Sequence, residues 1–292
     1  MVLFTCKIFR YNILLLAFVL TISCKKESAN ADYECKKHTE FNSKKYDEVC
    51  FVMTHNAMNN TEKGFTLPNQ TYSVTNQLNS CVRGLMIDTY DGTDGVALTY
   101  HALPALGQQK LVDVLKEVKD FLNANRDEVV TIIFENNGSN AQLLKAIDSI
   151  GLDQLCYIKS GSTWPTLQAM IDTNKRLVCF AERSKSPGAA YLMYAWSTIF
   201  DTKYSYQSVN EFDTDVNRGG SGTRQLYLVN HWLQTLLGLP DKNLAPQANT
   251  RAVIGKRVQD CSAANSHFIN FIGVDFYDIG DARAVADSIN GL

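Results

Sequence analysis

Apolar residues along the chain form short runs that alternate with amphipathic segments. The runs are rich in β-branched and aromatic residues and lack polar alternation, as in 129–134 (VVTIIF) and 177–181 (LVCFA). Such runs are typical of strands that are buried on both faces. The same pattern predicts further strands at 50–54, 84–90, 96–100, 226–229 and 268–276.

Helical periodicity separates several of these strands. One predicted helix carries an apolar face with spacings of four, three and four residues, made by Leu111, Leu115, Val118 and Leu122. Further helices are predicted at 74–80, 143–150, 164–172 and 282–289. Strands that alternate with helices predict an α/β fold with a parallel sheet. The number of units favours a single TIM-type (β/α)8 barrel, which need not be regular. Residues 184–225 show little periodicity and are predicted to be a long connection.

The N-terminus has the pattern of a targeting segment. Lys7 and Arg10 precede an apolar run at 13–22, which is too short to span a bilayer and fits the apolar region of a secretory signal. A small residue and Cys24 follow this run, as at a bacterial lipoprotein cleavage site, although Thr21 stands where leucine is usual. We therefore expect an exported envelope protein that is lipid-anchored through Cys24, with plain secretion as the alternative.

These boundaries predict the domain organisation. Residues 1–23 are the predicted signal peptide, 24–45 a polar tether, and 46–292 one catalytic barrel. The formal net charge is only -2 and no basic block occurs, so nucleic acid is not an expected partner. We expect a monomer.

Cysteine usage leaves the redox state open. Six cysteines besides Cys24 follow the predicted signal peptide, and about fifteen pairings are possible for six cysteines. Three of them, Cys50, Cys81 and Cys179, lie in apolar runs and are equally explained as small core residues. No CxxC pair is present, so a zinc site is not expected.

Polar side chains follow four predicted strands where each strand ends. They are His55 with Asn56, then Asp88, His101 and Glu135. Each has a structural interpretation when taken alone, such as a hydrogen-bonded histidine or a glutamate that caps a helix. In a barrel of parallel strands, however, they would meet at the carboxyl-terminal mouth, and their joint occurrence predicts a catalytic site there.

Several segments in order resemble a known family. The segments THNAMNN, QLNSCVRGLMIDTYDG, the Tyr100–His101 pair and VVTIIFEN are similar to the catalytic X region of phosphatidylinositol-specific phospholipase C. The later segments TWPTLQAMI, RLVCFAER, LYLVNHW and NFIGVDFY resemble the single-domain secreted relatives of that family. The resemblance covers about residues 46–292 and implies a TIM-like barrel that cleaves a phosphodiester.

The resemblance also implies roles for the strand-end residues. It makes Asn56, Asp88 and Glu135 ligands of Ca²⁺, with Mg²⁺ or no metal as alternatives. At such a site His55 is expected to orient or deprotonate an inositol 2-hydroxyl or to stabilise the phosphorane, and His101 to protonate the departing glycerol oxygen. The oxygen donors of the three ligands suit a hard cation, and histidine suits proton transfer near neutral pH. Met86 departs from the calcium-dependent members, which often carry a glutamate at this position.

A second set of residues is predicted to assist at the site. Asp275 is expected to orient His55, whereas Lys159, Arg183 and Tyr277 are candidates for contacts with substrate. The predicted substrate is a phospholipid or inositol phosphate at a membrane surface. Two alternatives stay open: a glycerophosphodiester or sphingomyelin-type phosphodiesterase on the same barrel, or a non-catalytic surface protein that binds lipid head groups or glycans.

Overall fold

The structure is a computed structural model that describes residues 41–220 and 225–292. The predicted signal peptide, Cys24 and the tether up to residue 40 lie outside the described residues. Phe41 and Asn42, which the sequence pattern assigns to the tether, are buried, so the folded part of the chain includes 41–45. Within the described residues, no helix has the length and apolar character needed to cross a membrane.

Eleven strands form one connected sheet in the described residues. They are β1 Phe51–Thr54, β2 Gly84–Asp91, β3 Ala97–Thr99, β4 Gln109–Lys110, β5 Val130–Asn136, β6 Leu177–Ala181, β7 Leu192–Tyr194, β8 Ile199–Thr202, β9 Val216–Arg218, β10 Leu226–Asn230 and β11 Phe271–Val274. Eight of these strands run parallel to their neighbours and follow each other around the sheet in chain order, namely β1, β2, β5, β6, β7, β8, β10 and β11.

The parallel sheet curls into a barrel because β11 pairs with β1, so that the last strand lies beside the first. In the described residues no ladder joins β7 to β8, and the barrel is open between them. β9 pairs antiparallel with β8, while β3 and β4 form a small antiparallel extension of β2. The predicted TIM-type barrel is therefore confirmed in an irregular, incompletely closed form.

Helices cover the outside of this barrel. They are α1 Val74–Asn79, α2 Leu111–Ala124, α3 Asn140–Ser149, α4 Leu167–Asp172, α5 Ala245–Ala248, α6 Arg251–Asn265 and α7 Ala282–Asn290. The helix predicted at 164–172 begins later, after the cap at Thr166, whose side chain accepts a hydrogen bond from the Ala169 amide. The pattern did not predict α6, because its buried positions include Arg257 beside Ile254 and Val258, which weakens the apolar periodicity.

The segment 184–225 is not a plain connection. It contains β7, β8 and β9, each of three or four residues, which are too short to produce a recognisable period. The predicted long connection therefore carries three short strands. These strands supply the side of the barrel at which its closure fails.

Alternate residues along each strand separate two layers of core. Val52, Leu85 and Ile132 face the helices and form the outer layer, whereas Met53, Met86 and Ile133 belong to the second cluster inside the barrel. The barrel is tight: a Cβ on Gly84 would lie 2.7 Å from the Cβ of Met53. The side chains that point into the barrel, such as Met53, Met86 and Ile133, form an inward-facing row that continues to the mouth at the carboxyl end of the strands.

The cysteines divide into free and bonded residues. Cys50, Cys156, Cys179 and Cys261 are free and buried. The interpretation as small core residues therefore holds for Cys50 and Cys179. Cys81 is disulfide-bonded, so that interpretation was wrong for Cys81, and its partner lies outside the described residues.

Candidate active site

The site begins where the inward-facing row of the barrel changes from apolar to polar. Two residues after Met53 comes His55, two after Met86 comes Asp88, and two after Ile133 comes Glu135. Strand side chains alternate with a period of two, so these groups point to the same side as the apolar residues below them. The polar side chains of the row therefore lie at the carboxyl-terminal mouth of the barrel.

A hydrogen-bond network fixes the ring of His55. Its Nδ1 lies 2.9 Å from Oδ1 of Asp275, and Asn69 Nδ2 donates to both Asp275 carboxylate oxygens at 3.1 Å. Because an ionised carboxylate only accepts hydrogen bonds, Nδ1 carries the proton. This assignment leaves Nε2 of His55 as the nitrogen that can accept a proton from a substrate.

Packing holds the same ring from its face. The indole of Trp232 stacks on His55, with ring centroids 3.9 Å apart and planes 9° from parallel. Trp232 is buried, and Gly273 on β11 leaves space for it, since a Cβ there would lie 3.3 Å from the indole. His55 is therefore constrained both in its plane and about its side-chain torsions.

His101 faces His55 across the cavity. The two ring centroids are 6.5 Å apart, which is too far for a direct hydrogen bond. Asn59 Nδ2 lies 3.5 Å from Nδ1 of His101, and Asn59 also donates to Oδ1 of Asn69 at 2.7 Å. Burial lowers the pKa of His101 below the ordinary histidine value, and the nearby His55 lowers it further.

Asn56 connects the histidine network to the acidic wall. It is buried and adopts a left-handed backbone conformation with φ of 47°, which asparagine tolerates better than most residues. Among the described residues, its side chain makes hydrogen bonds only through Nδ2, which lies 3.1 Å from Nε2 of His55 and 3.2 Å from Oδ1 of Asn69. Its Oδ1 atom is left for another donor or a cation.

Three carboxylates stand in a row on adjacent strands. Asp88 is in register with Glu135, and Glu182 is one residue beyond the Phe134–Ala181 pair that joins β5 to β6. Burial raises the pKa of Asp88 well above its ordinary range, and the charges of Glu135 and Glu182 raise it further. Burial likewise raises the pKa of Glu182 to about 7, although Arg218 acts in the opposite direction.

Two guanidinium groups flank this acidic row. Arg183 pairs with Oε1 of Glu135, and Arg218 donates from Nη1 to Oε2 of Glu182 at 2.7 Å. Arg218 also donates through Nε at 3.0 Å and through Nη2 at 2.5 Å to Oδ2 of the fully buried Asp201. The row is thus acidic on its cavity side and charge-paired behind it.

These groups surround one cavity of about 330 Å³. Its wall contains six of the nine predicted site residues, namely His55, Asn56, Asp88, His101, Glu135 and Asp275. A smaller cavity of about 60 Å³ continues below it, between Met86, Asp88, Glu182 and Arg218. The tertiary fold therefore brings the predicted groups from distant segments into contact with one volume.

Three predicted residues are not in that wall. Arg183 is close to it through its ion pair with Glu135. Lys159 lies at the opposite end of the barrel, because residues 156–157 pair with Leu177 at the amino end of β6, and its Nζ atom contacts the Gly161 carbonyl at 2.9 Å. Tyr277 packs on the outer layer, with its hydroxyl 3.4 Å from Oγ of Ser80, so neither Lys159 nor Tyr277 lines the cavity.

Sequence reasoning also missed residues that line the two cavities. They are Asn69, Tyr90, Glu182, Tyr204, Arg218 and Trp232. Glu182 had a usable signal, because it stands two residues after the buried Phe180 and continues the inward row. Tyr204, Arg218 and Trp232 had none, since Tyr204 and Trp232 lie in connecting segments and Arg218 ends the three-residue strand β9, which is too short to show a period.

The donor set fits a hard divalent cation. Asn56, Asp88 and Glu135 offer only oxygen, and the carboxylate of Asp88 has no hydrogen bond or ion pair to any described residue although it is only 5% exposed. In the described part of the chain, no three histidine, cysteine, aspartate or glutamate side chains already meet in ligating geometry. An amide and two carboxylates would be the ligands.

Comparisons with known proteins agree on the family. A family model for the PI-PLC X domain matches residues 41–290. A PI-PLC X domain-containing protein of Arthroderma benhamiae is 30% identical over 283 residues, which covers 89% of this chain and 90% of that protein. A PI-PLC X domain-containing protein of Arabidopsis thaliana is 28% identical, and the match covers 84% of this chain and 62% of that protein.

Solved structures agree on the fold. Phosphatidylinositol-specific phospholipase C of Listeria monocytogenes superposes with a TM-score of 0.60 at 14% identity, covering 86% of this chain and 94% of that one. The corresponding enzyme of Staphylococcus aureus also gives a TM-score of 0.60, at 16% identity, with 85% and 94% covered. At this identity the likeness shows the barrel alone.

Proposed function

The chain belongs to the PI-PLC X-domain family, and on that premise we propose that it is a phosphodiesterase of the phosphatidylinositol phospholipase C type. The proposed reaction cleaves the bond between glycerol and phosphate in an inositol phospholipid. One observation carries the proposal: two imidazoles face each other across a cavity, and one of them is held by a buried carboxylate.

The first proposed step uses His55 as the base. Its Nε2 atom accepts the proton of the inositol 2-hydroxyl, whose oxygen then attacks phosphorus. The imidazolium that forms donates through Nδ1 to Asp275, and this charge-assisted hydrogen bond stabilises the state in which His55 is protonated. The stacked Trp232 keeps the ring in place during the transfer.

The second proposed step uses His101 as the acid. As the bond between phosphorus and the glycerol oxygen breaks, His101 gives a proton to that oxygen, and diacylglycerol leaves. The products are diacylglycerol and a cyclic inositol phosphate. Each proton transfer of this kind contributes about 10²–10⁴-fold to the rate.

A divalent cation, Ca²⁺ in this proposal, would be held by Asn56, Asp88 and Glu135 and would offset the charge that builds up on the phosphate. The chain's own contribution is to hold these oxygens at one level of the mouth, with Asp88 and Glu135 in register on β2 and β5. Removal of Ca²⁺ by a chelator is expected to lower activity, and added Ca²⁺ to restore it. Activity that a chelator leaves unchanged would remove the cation from the proposal.

A hairpin loop beside the cavity supports a substrate in a lipid surface. Leu236 and Leu237 are 87% and 84% exposed at its tip, while Gln234 and Pro240 at its base pair with each other and line the cavity. Leu103, 60% exposed, lies two residues after His101. Exposed apolar residues around a catalytic mouth are typical of a surface that contacts lipid, and each leucine buried there contributes about 1.5–3 kcal/mol.

The decisive experiment is a substrate panel on purified protein, with phosphatidylinositol vesicles, a glycerophosphodiester and sphingomyelin. Release of cyclic inositol phosphate, lost in both His55→Ala and His101→Ala, is the expected result. Cleavage of only another diester would favour the alternative phosphodiesterases, and cleavage of none would favour a binding protein.

The lipid contact is tested separately. Leu236→Asp with Leu237→Asp is expected to weaken vesicle binding in a sedimentation assay and to leave cleavage of a water-soluble inositol phosphodiester unchanged. Ile158→Asp is the matched control, because Ile158 is also exposed but belongs to the segment at the opposite end of the barrel. Equal vesicle binding by both variants would remove the loop from the proposal.

We further propose export, with attachment to the cell envelope through Cys24. An uncharacterized secreted protein of Arthroderma benhamiae is 26% identical over 285 residues. The disulfide at Cys81 supports the same placement, since disulfides persist in oxidising compartments. Labelling with a fatty-acid analogue is expected to mark the wild-type chain and not Cys24→Ser.

A further inference from the structure

The row of carboxylates has one more member than the resemblance implies. Glu182 directly follows β6, Glu135 is the last residue but one of β5, and both face the mouth beside Asp88. Glu182 also lines the smaller cavity together with Met86. The carboxylate of Glu182 therefore lies at the same cavity as Met86, which stands where related proteins often carry a glutamate.

Asp88 is an independent observation that points to a cation at this site. It is only 5% exposed, it lines both cavities, and none of the described residues gives its carboxylate a hydrogen bond or an ion pair. A buried carboxylate without a partner is costly. Such a group, aimed into a cavity, indicates a ligand that completes it.

The charge balance of the surrounding groups indicates the valence of that ligand. The carboxylates of Asp88, Glu135, Glu182 and Asp201 lie among the guanidinium groups of Arg183 and Arg218. With all four carboxyl groups ionised, as they would be around a bound cation, four negative and two positive groups leave a formal charge of -2. One divalent cation neutralises this charge.

Glu182 can leave its present partner at little electrostatic cost. Only Oε2 of Glu182 is bonded to Arg218, whereas Arg218 also holds Asp201 through Nε and Nη2 and stacks on Trp196 at 4.1 Å. Arg218 thus stays charge-paired and in place when Glu182 turns away. Glu182 has to rotate in this way, because no three histidine, cysteine, aspartate or glutamate side chains of the described residues are already positioned to bind one ion.

We propose that Glu182 is a ligand of the divalent cation and supplies the carboxylate that Met86 lacks. A bound cation would replace Arg218 as the partner of Glu182. Its other ligands would be Asp88, Glu135 and Asn56. This inference rests on the proposed function for the other three ligands. It makes the site of this chain a variant in which the fourth oxygen ligand comes from β6 and not from β2.

The test is direct cation binding, measured by calorimetry with Ca²⁺ and by Tb³⁺ luminescence sensitised through Trp232 at the cavity wall. Glu182→Gln keeps the shape of the side chain and is expected to lower Ca²⁺ affinity by about tenfold or more. Met86→Glu introduced into the same variant is expected to restore the affinity. Glu128→Gln is the matched control, since it also removes a buried carboxylate from an arginine, here Arg83, but Glu128 lines neither cavity.

The outcomes separate the inference from the proposed function. A folded Glu182→Gln with wild-type Ca²⁺ affinity, or an affinity that falls equally in Glu128→Gln, overturns the inference. If the variants do not fold, a Ca²⁺-soaked crystal of the wild-type chain decides: an oxygen of Glu182 about 2.3–2.6 Å from the ion supports it, and Glu182 still on Arg218 overturns it. Phosphatidylinositol cleavage is measured in the same samples. A chain that binds Ca²⁺ through Glu182 but does not cleave phosphatidylinositol supports the inference and refutes the proposed function.

Discussion

Replacement of Asp275 by asparagine tests the proposed role of His55 most sharply. The carboxylate accepts from Nδ1 of His55 at 2.9 Å, and both of its oxygens accept from Asn69. The substitution keeps the shape of the side chain and removes its charge and one acceptor. Two orientations of the new amide are available, and each predicts a different loss.

In the first orientation the amide oxygen faces His55 and the NH₂ group meets the donor of Asn69. His55 keeps its tautomer, but a neutral acceptor stabilises the imidazolium less than a carboxylate does, by roughly 1–2 kcal/mol. A barrier that is higher by about 1.4 kcal/mol lowers the rate about tenfold. In the second orientation the NH₂ group faces Nδ1, the proton moves to Nε2, and His55 cannot act as the base, which costs about 10²–10⁴-fold.

The expected result is therefore a fall in kcat of at least about tenfold, with little change in KM, because the loss arises in the charged state that forms during the reaction. The assay follows release of cyclic inositol phosphate by ³¹P NMR, and ¹⁵N chemical shifts of His55 report the tautomer. Asp281→Asn is the matched control, since Asp281 accepts from the Arg251 amide at 2.9 Å away from the cavity. A folded Asp275→Asn with kcat within about twofold of the wild type would refute the role of His55 as a base supported by Asp275.

The remaining predictions concern the acid, the packing of the base and the barrel interior. Burial lowers the pKa of His101 below 6.5, and an acid works only while it is protonated. We therefore expect kcat/KM to fall as the pH rises through that lowered pKa. A fall in kcat/KM that begins only above pH 6.5 contradicts this. Trp232→Ala is expected to lower kcat about tenfold by freeing the ring of His55, with Trp232→Phe close to wild type, and equal rates in both variants would show that the stack is not needed. Gly84→Ala places a methyl group 2.7 Å from Met53 and is expected to destabilise the fold by about 1–3 kcal/mol, seen as a lower Tm; an unchanged Tm contradicts the tight packing inferred inside the barrel.

Strands were predictable from the sequence where they are long and fully buried. The runs at 129–134 and 177–181 gave β5 and β6 within one or two residues, because a strand buried on both faces is uniformly apolar. The three short strands within 184–225 and the helix α6 were not predictable in this way. Their residues owe their conformation to neighbours far away in the chain, as Arg257 does beneath Tyr206 and Phe212.

The site divides along the same line. Groups at the ends of regular strands, such as His55, Asp88 and Glu135, could be named because the period of two fixes which way each side chain points. The positions of Lys159 and Tyr277, away from the cavity, could not be predicted because the sequence does not state which end or which face of the barrel a connecting segment reaches. Trp232 was missed because nothing local marks a tryptophan that stacks on the imidazole of His55.

The sequence by itself determined the class of fold, the order of its strands and the chemical types of the groups at the mouth, since these depend on periodicity and side-chain chemistry. The contact expected between Asp275 and His55 requires β11 to pair with β1, and only the tertiary structure decided this pairing, which brings Asp275 to within 2.9 Å of His55, 220 positions away in the chain. The tertiary structure also decided that Glu182 lies next to the place where Met86 lacks a carboxylate. Contacts of this kind depend on closure of the barrel, and closure depends on the packing of the whole chain.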